Sequence, residues 1–153
     1  LEARVLQELA VQRSERVLEI GTGSGYLTAL LAHRAAQVYT VEIRPALAEF
    51  GRANLARHGR DNVVTQVGDG ALGYPNWAPY DVIVLTGSTP IVPQILLDSL
   101  APGGRLFAVV GDAPAMAARI FTCVAPGAVR AMDLFETVVA PLANCAQPSR
   151  FTF

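Results

Sequence analysis

Short apolar runs bounded by turn residues alternate along this chain with longer stretches whose apolar positions recur at helical spacing. That alternation predicts a parallel β-sheet with helices on both faces, because a strand buried on two sides reads as a continuous apolar run. Helical spacing covers Leu1 to Gln12, Gly25 to about His33, Pro45 to about His58, and Pro90 to Leu100. Pro45 suits a first-turn position. Strands are expected at Arg16 to Ile20, Gln37 to Ile43, Asn62 to Val67, Tyr80 to Thr86 and Arg105 to Val110. Gly68 to Pro79, rich in Gly and Pro, reads as a loop, and Pro102, Gly103 and Gly104 as a tight turn. Ala115 to Val124 and Val129 to Val138, joined by Ala125, Pro126 and Gly127, read as an antiparallel hairpin at the sheet edge. The expected fold is α/β: a doubly wound, Rossmann-like, mostly parallel seven-stranded sheet with helices on both faces and an antiparallel C-terminal hairpin.

At 153 residues the chain has the size of one domain, and a single domain over residues 1–153 is expected. Leu1 already stands in helical spacing, so a segment is expected to precede it in the full protein. Net charge is -1 and every cation is an arginine, scattered without a cluster, which speaks against nucleic-acid or membrane-surface binding. Without lysine there is no Schiff-base chemistry and no phosphate loop ending in Gly-Lys-Ser/Thr. The two cysteines, Cys123 and Cys145, lack metal-ligand spacing and read as buried thiols of a cytoplasmic protein, with no metal expected. No apolar run is long enough to span a membrane.

The most informative segment is Glu19-Ile20-Gly21-Thr22-Gly23-Ser24-Gly25, where a strand turns into a helix. Glycines belong where a strand reverses sharply and a ligand approaches the backbone, and the helix start offers free N–H groups. A dinucleotide loop would need glycine at position 26, which is Tyr26. Glu19 would sit poorly beside a pyrophosphate but suits an amino-acid ammonium or its solvent shell. Glu42 and Ile43 end the second strand, where a carboxylate can take two ribose hydroxyls; the alternative is an exposed strand-end acid. Asp69 and Gly70 follow the third strand, where Asp69 can accept from an adenine amino group or simply serve an Asp-Gly turn. All three features converge at the carboxyl ends of adjacent strands.

These residues resemble the class I methyltransferases and, within them, the protein-L-isoaspartate O-methyltransferase family. The resemblance rests on Val17 to Tyr26, Val41-Glu42, Asn62-Val63, Gly68-Asp69-Gly70 with Gly73-Tyr74-Pro75, Ala78-Pro79-Tyr80-Asp81, and Leu100 to Leu106. It implies S-adenosylmethionine as cofactor, with Gly21, Gly23 and Gly25 around the methionyl part, Glu42 on the ribose, and Asp69 with Gly70 at the adenine. It also implies an isoaspartyl protein or peptide as the substrate of a repair reaction. Asp81 is then expected to close the turn into the fourth strand, and Val138 to Leu142 to form the final strand. The pattern departs at Thr86-Gly87-Ser88-Thr89-Pro90, where the family has Ala-Ala, and at Ala143, where threonine is common. The substrate-positioning hydroxyl is expected upstream of Leu1.

Methyl transfer to an ionised carboxylate needs no general base, since a carboxylate with a pKa near ~4 is already deprotonated at neutral pH. No catalytic residue is therefore assigned. His33 and His58 read as surface residues near helix ends. Tyr26, Trp77 and Tyr80 read as packing anchors or as a ligand wall, and Ser88 and Thr89 as an N-cap before Pro90 or as substrate contacts. Two other readings stay open: a methyltransferase acting on a small molecule, and a cofactor-binding module that has lost catalysis and works through a partner.

Overall fold

The computed structural model describes residues 1–149. Its elements are α1 (Glu2–Leu9), β1 (Arg16–Ile20), α2 (Tyr26–Arg34), β2 (Gln37–Glu42), α3 (Pro45–Arg57), β3 (Val63–Val67), β4 (Tyr80–Thr89), α4 (Gln94–Asp98), β5 (Leu100–Asp112), β6 (Ala115–Ala125) and β7 (Ala128–Glu136). They build a seven-stranded sheet in the order β3-β2-β1-β4-β5-β6-β7. The first five strands are parallel, and β6 and β7 fold back as an antiparallel hairpin. β1 lies between β2 and β4, so the strand order reverses beside it. This is the place where open α/β sheets form their ligand crevice.

Alternation along β1 explains the two layers around it. Val17 packs with Val5 and Leu9 of α1, Leu31 of α2, and Val84 and Phe107 of the neighbouring strands. Leu18 and Ile20 face the other way, onto Tyr39, Ile83, Leu85, Leu106 and the α4 residue Leu96. Each such fully buried Val or Leu contributes about 1.5 to 3 kcal/mol relative to an exposed position. Glu19 shares the face of Val17, so the strand period drives a carboxylate into the layer beneath α2.

Several expected boundaries move, each for a local reason. α1 stops at Leu9 instead of Gln12 because Ala10 turns left-handed (φ 46°, ψ 50°). The guanidinium of Arg105 then donates to the carbonyls of Leu9 and Ala10 and pairs with Glu15 at 2.7 Å. The helix expected over Pro90 to Leu100 shrinks to Gln94–Asp98. Pro90 and Pro93 impose extended backbone on Thr89 and Val92, so β4 runs on to Thr89 and the helix starts late. Ser88 and Thr89 are accordingly buried strand residues and cap no helix. Pro102, Gly103 and Gly104 lie inside β5, where the register with β4 jumps from Tyr80↔Leu100 to Val82↔Arg105, so they form a bulge within the strand and not a turn before it. The 68–79 loop contains two 3-10 turns, Gly70–Leu72 and Pro75–Trp77. Of the final strand expected over Val138 to Leu142, only a parallel bridge between Pro141 and Ser88 forms.

Candidate functional site

The glycine loop leaves β1 at the crevice. Gly21 has φ 100°, and a Cβ there would lie 2.1 Å from Thr86 Oγ1, so both backbone and space demand glycine. The close approach is functional to the loop itself: the Thr86 hydroxyl reaches the carbonyls of Ile20 and Gly21, each at 2.9 Å, and ties the loop to β4. On the other side Gly51 of α3 lets the helix press against the loop, since a Cβ would meet Gly23 O and Thr22 Cγ2 at 2.8 Å. Alanine in a helix normally adds stability over glycine. Here Gly51→Ala should instead cost about 1 to 3 kcal/mol by overpacking, as read by urea unfolding. A more stable variant would show that the loop yields freely.

Two cavities meet over this loop, sharing Gly21, Gly23 and Thr86. The first, of about 300 Å³, is walled by the ends of β2 and β3 and brings together Glu42, Ile43, Asp69 and Gly70. Glu42 is 6% exposed, so the alternative of an exposed strand-end acid is ruled out. Its Oε2 accepts from Gly23 N at 3.0 Å and its Oε1 from Arg44 N at 3.2 Å, which fixes the carboxylate and leaves further lone pairs on each oxygen. Asp69 is half-buried, and its Oδ1 accepts from Ala71 N at 3.0 Å. It therefore does serve a turn while still bordering the cavity.

The second cavity, of about 200 Å³, is bordered by Glu19, Thr22, Ser24 and Tyr26 together with apolar side chains such as Val5, Val84 and Phe107. Glu19 is fully buried. Its Oε2 accepts from Thr28 Oγ1 at 2.5 Å and Thr40 Oγ1 at 2.7 Å, and Thr40 also shares a 2.6 Å hydrogen bond with Thr22. Its Oε1 has no partner among the described residues. Burial pushes this carboxyl up to about 7, helped by the nearby charge of Glu42 and opposed by the two threonine hydroxyls. A buried acid short of one partner beside a cavity keeps acceptor capacity for a donor group of a ligand.

Gly25 borders neither cavity; at φ 82° it caps α2, close against Gly51. Trp77 stacks on Tyr39 at 5.1 Å, and the buried Tyr80 donates to the Tyr74 carbonyl, so both are packing anchors away from the cavities. His33 and His58 are exposed. Asp81 accepts from Arg16 N at 2.8 Å and so ties the start of β1 to β4. Cys123 is buried and Cys145 half-buried, neither in a disulfide; burial pushes the Cys145 thiol up, against hydrogen bonds from its neighbours. Among the described residues no His, Cys, Asp and Glu cluster is arranged to hold a metal, and no helix is long and apolar enough to cross a membrane. Sequence reasoning missed Thr86, Gly87, and Ala140 to Ala143, which close the first cavity from β4 and the segment after β7. The glycine in Thr86-Gly87 was the available signal: a Cβ on Gly87 would lie 3.0 Å from the Ala140 carbonyl.

The sheet order, the glycine loop and the carboxylates at successive strand ends are those of the class I, S-adenosylmethionine-dependent methyltransferases. The model of the family "Protein-L-isoaspartate(D-aspartate) O-methyltransferase (PCMT)" matches residues 1–145, and the chain belongs to that family. A protein-L-isoaspartate O-methyltransferase of Methanoculleus marisnigri is 52% identical over 109 residues, covering 71% of this chain and 50% of that one. One of Anaeromyxobacter dehalogenans is 44% identical over 144 residues, covering 93% of this chain and 69% of the relative. A solved protein-L-isoaspartate O-methyltransferase superposes with a TM-score of 0.85 at 28% identity, over 94% of this chain and 46% of that one. The chain thus spans about half the length of several proteins it matches.

Proposed function

We propose that the two joined cavities hold S-adenosylmethionine and that the protein methylates the free carboxylate of isoaspartyl residues in proteins or peptides. The observation that carries this reading is the pair of cavities meeting over the glycine loop with a buried acid in each. Glu42 and Asp69 suit the hydroxyls and amino group of an adenosine, and Glu19 suits the ammonium at the other end. In this reading the cofactor site comprises Glu19, Gly21, Thr22, Gly23, Ser24, Gly25, Glu42, Ile43, Asp69 and Gly70, with Gly25 acting through the shape of the loop. Thr86 and Gly87 complete it from β4.

When bound, S-adenosylmethionine would supply a methyl group on a sulfonium for transfer to an acceptor carboxylate oxygen, with the thioether S-adenosylhomocysteine as the leaving group. The chain's own part is alignment and exclusion of water, effects worth up to about 7 to 11 kcal/mol in favourable cases. The rigid loop, braced by Glu42, Thr86 and α3, is suited to that task. No side chain of the site has to remove a proton from a carboxylate already ionised at neutral pH. Residues 1–153 act as one domain in this reading, and the unpaired thiols suit the reducing cytoplasm.

The test is transfer of a radiolabelled methyl group to an isoaspartyl peptide and to its normal aspartyl twin, using the full-length protein. Base-labile label on the isoaspartyl peptide alone is expected. Transfer to neither peptide, with the cofactor bound, would move the reading to a small-molecule acceptor or to a module without catalysis.

A further inference from the structure

The segment after β7 returns to the crevice and is fastened to the end of β4. Ser88 N donates to Ala140 O at 3.0 Å, Leu142 N donates to Ser88 O at 2.9 Å, and Ser88 Oγ donates to Val139 O at 3.1 Å. The thiol of Cys145 lies against the Ser88 carbonyl at 3.4 Å. Held in this way, Ala140 to Ala143 form one wall of the cavity that contains Glu42 and Asp69. The next residue, Asn144, is left-handed with φ 57°, a conformation that asparagine adopts at less cost than most residues. From there its amide crosses to the third strand's end: Nδ2 donates to Asp69 Oδ2 at 3.0 Å.

Among the described residues each oxygen of Asp69 therefore has one donor, Ala71 N on Oδ1 and Asn144 Nδ2 on Oδ2. The carboxylate plane is fixed from two sides of the cavity mouth, and each oxygen keeps a lone pair for a ligand. We propose that Asn144 is a positioning residue that sets purine specificity, by holding Asp69 so that it accepts an exocyclic amino group and repels a carbonyl at the same place. This rests on the reading of the cleft as an adenosine site. An acceptor held rigidly rewards a donor and penalises another acceptor, whereas a carboxylate free to turn toward water loses both effects. Ala71 still holds one oxygen, so removing Asn144 weakens the discrimination without abolishing it.

Calorimetric titration of the chain with S-adenosylhomocysteine and with its 6-oxo analogue, S-inosylhomocysteine, tests this. The parent should prefer the adenosyl ligand, and Asn144→Ala should narrow the preference about three- to tenfold, the effect of one hydrogen bond. Asn144→Gly removes the amide without straining the left-handed backbone and should narrow the preference to the same extent. Asn144→Asp sets a second carboxylate against Asp69, so its affinity for S-adenosylhomocysteine should fall below the parent's at neutral pH, and the gap between the two, compared at the same pH, should close as the pH drops and the pair shares a proton. An Asn144→Ala chain that discriminates as well as the parent, or an Asn144→Asp chain with parental affinity at all pH values, would overturn the role of Asn144. A parent that binds neither ligand would overturn the cleft reading and this inference with it.

Discussion

Raising the pH through the range 4.5 to 7 should destabilise the folded chain by about 3 kcal/mol through Glu19 alone. Burial raises its carboxyl from 4.5 to about 7, with Thr28 and Thr40 opposing the shift and the Glu42 charge adding to it. A carboxyl held higher in the folded chain than in the unfolded one contributes stability that is fully present below 4.5 and is lost as the pH rises through about 7. Glu15 works in the opposite sense: although partial burial pushes it up, the Arg105 hydrogen bond and charge and the Gln12 N–H bring it below its ordinary value. Its stabilisation is present at neutral pH and fades as the pH falls. Comparing the parent with Glu19→Gln isolates the first effect, because glutamine has the same shape and does not ionise. Urea unfolding at pH 5 and pH 8 should show the parent losing roughly 2 to 3 kcal/mol relative to the variant. Parallel pH profiles for the two proteins would mean that Glu19 is solvated or paired in a way the described contacts do not provide. An ammonium ligand supplies the missing counter-charge, so its affinity should rise with pH over the same window.

Glu42→Ala should weaken S-adenosylhomocysteine binding about ten- to a hundredfold, the equivalent of roughly 1.5 to 3 kcal/mol for a lost contact to a charged acceptor. The size follows from two losses together. The ribose would lose its acceptor, and Gly23 N would lose the 3.0 Å partner that keeps the loop in place. Glu42→Gln retains one acceptor oxygen and should fall between the parent and the alanine variant. Calorimetric titration of the three proteins decides it, and an alanine variant that binds as tightly as the parent would remove Glu42 from the site.

The parts of the fold legible in the sequence are those governed by local pattern. Val17 to Ile20, apolar apart from Glu19, and the apolar run Val82 to Leu85 are buried on both faces, and the glycines at 21 and 23 mark the turn that follows β1. The hairpin of β6 and β7 was announced by Pro126 and Gly127 between two alternating segments. Where the reading failed, distant or competing backbone constraints decided. Pro90 and Pro93 overrode the apolar spacing that suggested a full helix, and the bulge at 101–104 depends on how β5 pairs with β4. The site was legible on its strand-end side only. Glu19 could be placed on a strand, but its partners Thr28 and Thr40 come from two other elements. The contacts of Ser88 with Ala140 and of Asp69 with Asn144 link residues 52 and 75 positions apart, and no local pattern carries such information.

The most direct measurement is a calorimetric titration of the chain with S-adenosylhomocysteine and, separately, with NAD. Saturable binding of S-adenosylhomocysteine, displaced by adenosine and much tighter than any binding of NAD, is the outcome expected of two cavities that take an adenosine at one end and an ammonium at the other. Tighter binding of NAD, or no binding of S-adenosylhomocysteine, would contradict it.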